Sequence, residues 1–232
     1  MFRIIIGLGN KARQGKDIAA SYISSIRKNV NILHLADELY NEVKLPNNTL
    51  IKRENDIYHL YDKNTDSYIE KSIDEVPTLH SIFEKRAIDK YEKMIDKDPE
   101  ILQFWGTNFR RQQNENYWIE QLDKKLKDLE LNSDNQFNEH MPQIILIPDL
   151  RFKNELEYIK QNNGYFIRIT RVENDKQYID DERSKDHISE TELDDIEEDY
   201  CIYAFSGDFK ELFHQIGLLI SLIIYDHCHN NN

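Results

Sequence analysis

The chain has 232 residues and a mass of 27.8 kDa, and 39% of it is hydrophobic, enough for a sizeable core and too much for a small disulfide- or metal-stapled scaffold. Its 30 Lys and Arg stand against 43 Asp and Glu, a formal net charge of −13 that repels polyanions and argues against polymeric nucleic acid as a partner. Two cysteines, Cys201 and Cys228, cannot build a disulfide framework, and no apolar run reaches the roughly 20 residues of a membrane span, so a reducing, cytoplasmic location without a membrane partner is expected.

Residues 2–8 read as a short, buried, β-branched strand that runs into a polar turn holding Gly7, Gly9 and Gly15. Ile18, Ala19, Tyr22, Ile23 and Ile26 then recur at helical spacing, with Arg27 and Lys28 placed to complement the helix C-terminus. A second strand is predicted over 31–35 and a short helix over 36–43, ending before Pro46. Over 47–77 the pattern weakens into short candidate strands, read as an insertion in the form of a hairpin. Three helical stripes follow between 78 and 131: Ile82, Phe83, Ala87, Ile88, Tyr91 and Ile95; then Ile101, Leu102, Trp105 and Phe109; then Trp118, Ile119, Leu122, Leu126 and Leu129. Beyond a polar linker at 132–140, the apolar run 143–148 ends at Asp149 and reads as a buried parallel strand. A helix over 152–161, C-capped by Asn163-Gly164, leads to a strand over 165–170, and a last strand over 200–205 precedes a closing helix over 209–225. Strands alternating with helices predict an α/β fold with a parallel sheet of about five strands and helices on both faces. The expected organisation is a single domain over 1–232, with the insertion at about 47–77 and a lid at about 171–200.

The strongest chemical signal is the turn Gly9-Asn10-Lys11-Ala12-Arg13-Gln14-Gly15-Lys16-Asp17 between the first strand and helix. Such a loop wraps an anion with backbone N–H groups and a helix N-terminus, and its lysine reaches the β and γ phosphates of a nucleotide. The phosphate-binding pattern asks for glycine where Asn10 stands and for Ser or Thr where Asp17 stands; Asn tolerates left-handed backbone, and Asp17 is an oxygen ligand suited to magnesium. Asp149, at the end of an apolar strand, is a second carboxylate for a magnesium shell, or else a helix N-cap. In the segment from Trp105 through Arg110, Arg111 and Asn114 to Trp118, guanidinium forks suit phosphate oxygens and aromatic rings suit a base. Both tryptophans are expected as core residues before a base-stacking role, whereas at least one of the arginines is expected at a phosphate. Arg151 and Arg171 follow strands and are placed to neutralise a transferred phosphoryl group. In the acid-rich lid, Arg171, Arg183 and Lys185 are expected to face inward and the acids outward, and His187 is expected to bind no metal. The exposed face of Trp118 and the 47–77 insertion are the candidate surfaces for a homodimer.

Taken together, the loop ending Gly15-Lys16-Asp17, the Leu102-Gln103-x-Trp105-Gly106-Thr107 segment with Arg110 and 114–118, the Asp149-x-Arg151-Phe152-x-Asn154-Glu155 turn and Asp186-His187-x-Ser189-Glu190 resemble, in order, the deoxynucleoside monophosphate kinases of phages and large DNA viruses. That resemblance implies an adenylate-kinase-like P-loop fold, magnesium and ATP as cofactors, and transfer of the γ-phosphoryl to a deoxynucleoside monophosphate in the host cytoplasm. It implies Lys16 at the transferred phosphate, Asp17 and Asp149 at the metal, and Arg110, Arg151 and Arg171 at acceptor or transition-state phosphates. Animal-type phosphomevalonate kinases are similar in the same places; Gln103, Thr107, Asn116 and Trp118 favour the nucleotide acceptor. A nucleotide-binding protein without turnover is the reading from outside enzymology, allowed by Asn10 and the acidic lid.

Overall fold

In the computed structural model the described residues are 3–44, 49–92, 98–132, 142–172 and 187–230. In chain order they form β1 (Arg3–Gly9), α1 (Lys16–Ile26), β2 (Val30–Ile32), α2 (Asp37–Val43), β3 (Ile51–Glu54), β4 (Ile57–Asp62), β5 (Ser67–Ser72), a 3-10 turn (Ile73–Glu75), α3 (Pro77–Arg86) and β6 (Lys90–Tyr91). There follow α4 (Pro99–Gln103) running straight into a π-helix (Phe104–Arg111), α5 (Tyr117–Asn132), β7 (Gln143–Leu150), α6 (Lys153–Gln161), β8 (Tyr165–Val172), α7 (Ile188–Thr191), β9 (Tyr200–Phe205) and α8 (Phe209–Asn230). Among the described residues no helix is long and apolar enough to cross a membrane.

These elements belong to two compact units, Met1–Leu35 with Ile119–Asn232, and Ala36–Trp118. The first carries the expected sheet: five strands in the order β2-β7-β1-β8-β9, every neighbouring pair parallel. β1 is buried and without polar side chains from Ile4 to Leu8, and β7 from Ile144 to Pro148, as strands covered on both faces must be. Ile4, Ile6 and Leu8 of β1 pack with Ala19, Ala20 and Ile23 of α1 and with Ile216, Ile220 and Ile223 of α8. The opposite face receives α6, where Ile159 lies against Gly7 so closely that a Cβ on that glycine would meet its Cδ1 at 2.6 Å. The α5 helix joins this layer through Tyr158, whose hydroxyl donates to Asp123 at 2.9 Å.

The second unit replaces the expected insertion. The hairpins over 51–72 are present, but with β6 they build an antiparallel sheet in the order β5-β4-β3-β6. Val43, Leu50, Tyr58, Leu60, Phe83 and Trp105 gather in a core of that unit's own, so the 47–77 stretch is part of a larger compact unit, 36–118. The first helical stripe is also corrected: α3 stops at Arg86, Ala87 turns left-handed at φ 51°, and Tyr91 lies in β6. Tyr91 packs on the same core from a strand, which an apolar spacing cannot distinguish from helical recurrence. Ile95, the 133–140 part of the linker and 173–186 of the expected lid lie outside the described residues.

Candidate functional site

The loop between β1 and α1 is built on three residues at positive φ: Asn10 at 137°, Arg13 at 59° and Gly15 at 94°. Such alternations turn successive N–H groups to the inside of the curve, the geometry of an anion-binding nest. Asn10 holds its position with its side chain. Its Nδ2 donates to Ile169 O at 2.8 Å and to Thr170 Oγ1 at 3.0 Å, and its Oδ1 accepts from Lys11 N at 2.7 Å. The substitution for glycine is thus matched by three hydrogen bonds, two of which tie the loop to β8. Gln14 adds a fourth, accepting the Arg171 N–H at 2.7 Å.

Gly15 precedes the first turn of α1, where Ala19 N donates to its carbonyl at 2.9 Å, and Lys16 follows as the first helical residue. Only 6% of Lys16 is exposed. Its Nζ donates back into the loop, to Asn10 O at 2.7 Å and Lys11 O at 2.5 Å. Burial, and next the Arg151 guanidinium, push its pKa down to about 7, against the opposing pull of Glu190, Asp17 and Asp149. Asp17 is exposed in the first turn of α1, where a carboxylate suits the helix N-terminus.

Asp149 stands near the C-terminal end of β7, the strand paired to β1. Its Oδ1 accepts the Leu35 N–H at 3.0 Å and its Oδ2 lies 3.9 Å from His34 Nδ1. Magnesium keeps several waters and binds proteins through one or two carboxylates plus substrate phosphates. Asp17 and Asp149 are two carboxylates near enough to Lys16 to act on its charge; among the described residues no group of three or more His, Cys, Asp or Glu converges as a closed protein-only metal cage.

Arg151 is positioned by the turn into α6, where Glu155 accepts both the Arg151 and Phe152 N–H groups, at 2.9 and 3.0 Å. Its Nη1 reaches Glu190 Oε2 at 2.9 Å and Ser189 O at 3.4 Å. Glu190 Oε2 also accepts the Ala12 N–H of the loop at 2.9 Å, and the Glu190 side chain is 8% exposed. Here the expectation that the lid's acids face outward fails for Glu190, whereas Asp194, Asp195, Glu197 and Asp199 are exposed as expected. Glu190 points into the loop, Glu192 caps α6 by accepting Lys153 N–H at 2.9 Å, and Asp194 pairs with Lys11 at 3.0 Å. A loop N–H and the Arg151 guanidinium attract Glu190, so that acid complements the loop where solvation alone would turn it out. Arg183 and Lys185 lie outside the described residues. His187 Nδ1 accepts from Ser189 N at 3.2 Å, and burial lowers its pKa.

In the other unit, Arg110 is 2% exposed and closed in by Glu42 at 2.7 Å and Asp62 at 2.9 Å. Trp105 Nε1 donates to the same Glu42 oxygen at 2.9 Å, and the Tyr117 hydroxyl donates to its other oxygen. Trp118 is 5% exposed and donates to Gly106 O at 3.0 Å. Both tryptophans are core residues, as their second reading had it, and Trp118 offers no exposed face to a dimer. Arg110 is occupied by two carboxylates within its own unit. Arg111 and Asn114 are half-buried, and Asn114 Oδ1 accepts Asn116 N at 3.0 Å. Glu42 and Asp62 escaped the sequence reading: one sits in a short helix and one ends a strand in the supposed insertion, and neither spacing marks a buried acid.

The chain matches no protein-family model, and no curated protein matches it.

Proposed function

We propose that the chain transfers the γ-phosphoryl group of ATP to a deoxynucleoside monophosphate, giving ADP and the deoxynucleoside diphosphate. The observation that carries this reading is the nest of positive-φ residues around the buried Lys16, set between a parallel strand and a helix, with Asp149 near the end of the adjacent strand. The loop N–H groups and the α1 N-terminus bind the donor's phosphates. Lys16, released from the Asn10 and Lys11 carbonyls, turns its ammonium to the β and γ phosphates. Asp17 and Asp149 would hold magnesium, which would supply neutralisation of the phosphates' charge.

The acceptor's phosphate oxygen is already anionic, so no general base is needed. That oxygen forms the new bond to the γ phosphorus as the bond to the β-phosphate oxygen breaks, and the electron pair leaves on ADP. Arg151 and Arg171 flank the loop and offset charge on the equatorial oxygens, a contribution of about 10³ to 10⁵ in rate for a well-placed arginine.

The test is an ADP-release assay with ATP and magnesium against a panel of dNMPs, NMPs and phosphomevalonate, with Lys16→Ala as blank. Turnover with a dNMP, lost in Lys16→Ala, supports the reading. Turnover with phosphomevalonate alone moves the chain to the small-molecule kinase reading, and ATP binding without turnover leaves a nucleotide-binding protein.

A further inference from the structure

We propose that the Glu190 carboxylate holds a phosphate subsite of the loop in the nucleotide-free protein, and that a phosphate group of the donor must displace it to bind. The inference rests on the reading of the loop as a triphosphate site. Two donors converge on a single carboxylate oxygen: the Ala12 N–H and Arg151 Nη1 each lie 2.9 Å from Glu190 Oε2. A backbone amide beside a guanidinium is the donor set that recognises a phosphate oxygen, and a carboxylate oxygen offers the same charge and acceptor character. An N–H turned to one strong acceptor is not available to a second, so Glu190 and a phosphate compete for the same two donors.

The contact belongs to an anchored segment. Ser189 O accepts from the same guanidinium at 3.4 Å, Glu192 caps Lys153 at 2.9 Å and Asp194 pairs with Lys11 at 3.0 Å. The side chain can leave by rotation while Glu192 and Asp194 keep α7 in place. Lys16 is likewise turned inward on the Asn10 and Lys11 carbonyls, so phosphate binding exchanges two sets of internal contacts for contacts to the ligand. Glu190 therefore sets a threshold on affinity: ligands with the charge of a di- or triphosphate displace it, and weak monoanions do not.

The probes are tripolyphosphate and ATP, titrated calorimetrically into the full chain as wild type, Glu190→Gln and Glu190→Ala. Removing a competing charged acceptor is expected to tighten tripolyphosphate about tenfold in Glu190→Ala, with a smaller gain in Glu190→Gln, whose neutral amide still accepts weakly. In an Arg151→Ala background the gain is expected to shrink, because one of the two contested donors is gone. Binding by the wild type that is unchanged or weaker in both Glu190 variants would overturn the proposal and make Glu190 a residue that positions Arg151. Absence of tripolyphosphate and ATP binding in all proteins would instead overturn the triphosphate reading itself. Glu190→Gln keeps the side chain's shape, so it carries the test if the alanine variant does not fold.

Discussion

Replacing Arg110 with methionine removes the guanidinium that two buried carboxylates, Glu42 and Asp62, share, while an unbranched side chain still fills most of the space. Breaking a buried ion pair by deleting one partner costs about 3–5 kcal/mol, because the other charge is left without compensation. Glu42 keeps the Trp105 and Tyr117 donors, so the larger loss falls on Asp62, and the expected destabilisation is near the lower end, about 3 kcal/mol. Against a usual domain stability of about 5–15 kcal/mol that is a large fraction. Urea unfolding near neutral pH, followed by tryptophan fluorescence, reads it directly, since Trp105 belongs to the cluster. Neutralising the acids as well, in Glu42→Gln/Asp62→Asn/Arg110→Met, should recover at least half of the loss, as no charge is then buried. The reasoning fails if Arg110→Met leaves the urea midpoint unchanged while raising the KM for the acceptor by an order of magnitude. That outcome would return Arg110 to the phosphate-binding role its sequence context implied.

Three further perturbations test other parts of the structure. Lys16→Met should abolish turnover yet leave unfolding stability at or above wild type, because it removes a cation whose burial pushes its pKa down to about 7; a marked loss of stability would make its bonds to the Asn10 and Lys11 carbonyls structural. The Tyr117 hydroxyl, held by burial and Glu42 at a pKa of about 12 against the ordinary 10.0, contributes stability that is fully present below pH 10 and lost as pH rises through 12. Tyr117→Phe should flatten that alkaline decline, and a difference in phenolate absorbance between wild type and Tyr117→Phe already present near pH 10 would contradict it. Gly164→Ala would place a Cβ 2.8 Å from Ile5 O and 2.6 Å from Ile159 Cγ2, and backbone cannot yield there, so a loss of about 1–3 kcal/mol is expected in thermal unfolding; an unchanged Tm would mean α6 does not approach β1 so closely.

Most of the first unit was legible in the chain, and for a local reason. Strands such as Gln143–Leu150 are apolar without interruption, helices such as Lys153–Gln161 are periodic and end at Asn163-Gly164, and parallel order follows from their alternation. The loop 9–17 was legible too, because glycine and lysine spacing records backbone conformation directly: Gly15 takes φ 94° and Asn10, the departure from pattern, takes φ 137°. Tertiary structure alone decided which charges meet. Glu190 joins Ala12 and Arg151 across 178 and 39 residues of chain, and Glu42 joins Arg110 across 68, with no periodicity to announce either pairing. The same holds for Tyr91, which reaches its core from a strand, and for 47–77, read from sequence as an insertion, which shares a core with the rest of 36–118. Hydrophobic pattern is written residue by residue into a strand or a helix. Charge pairing depends on where separate segments come to lie, and the low-dielectric surroundings that make a buried carboxylate select an arginine exist only once the chain has folded.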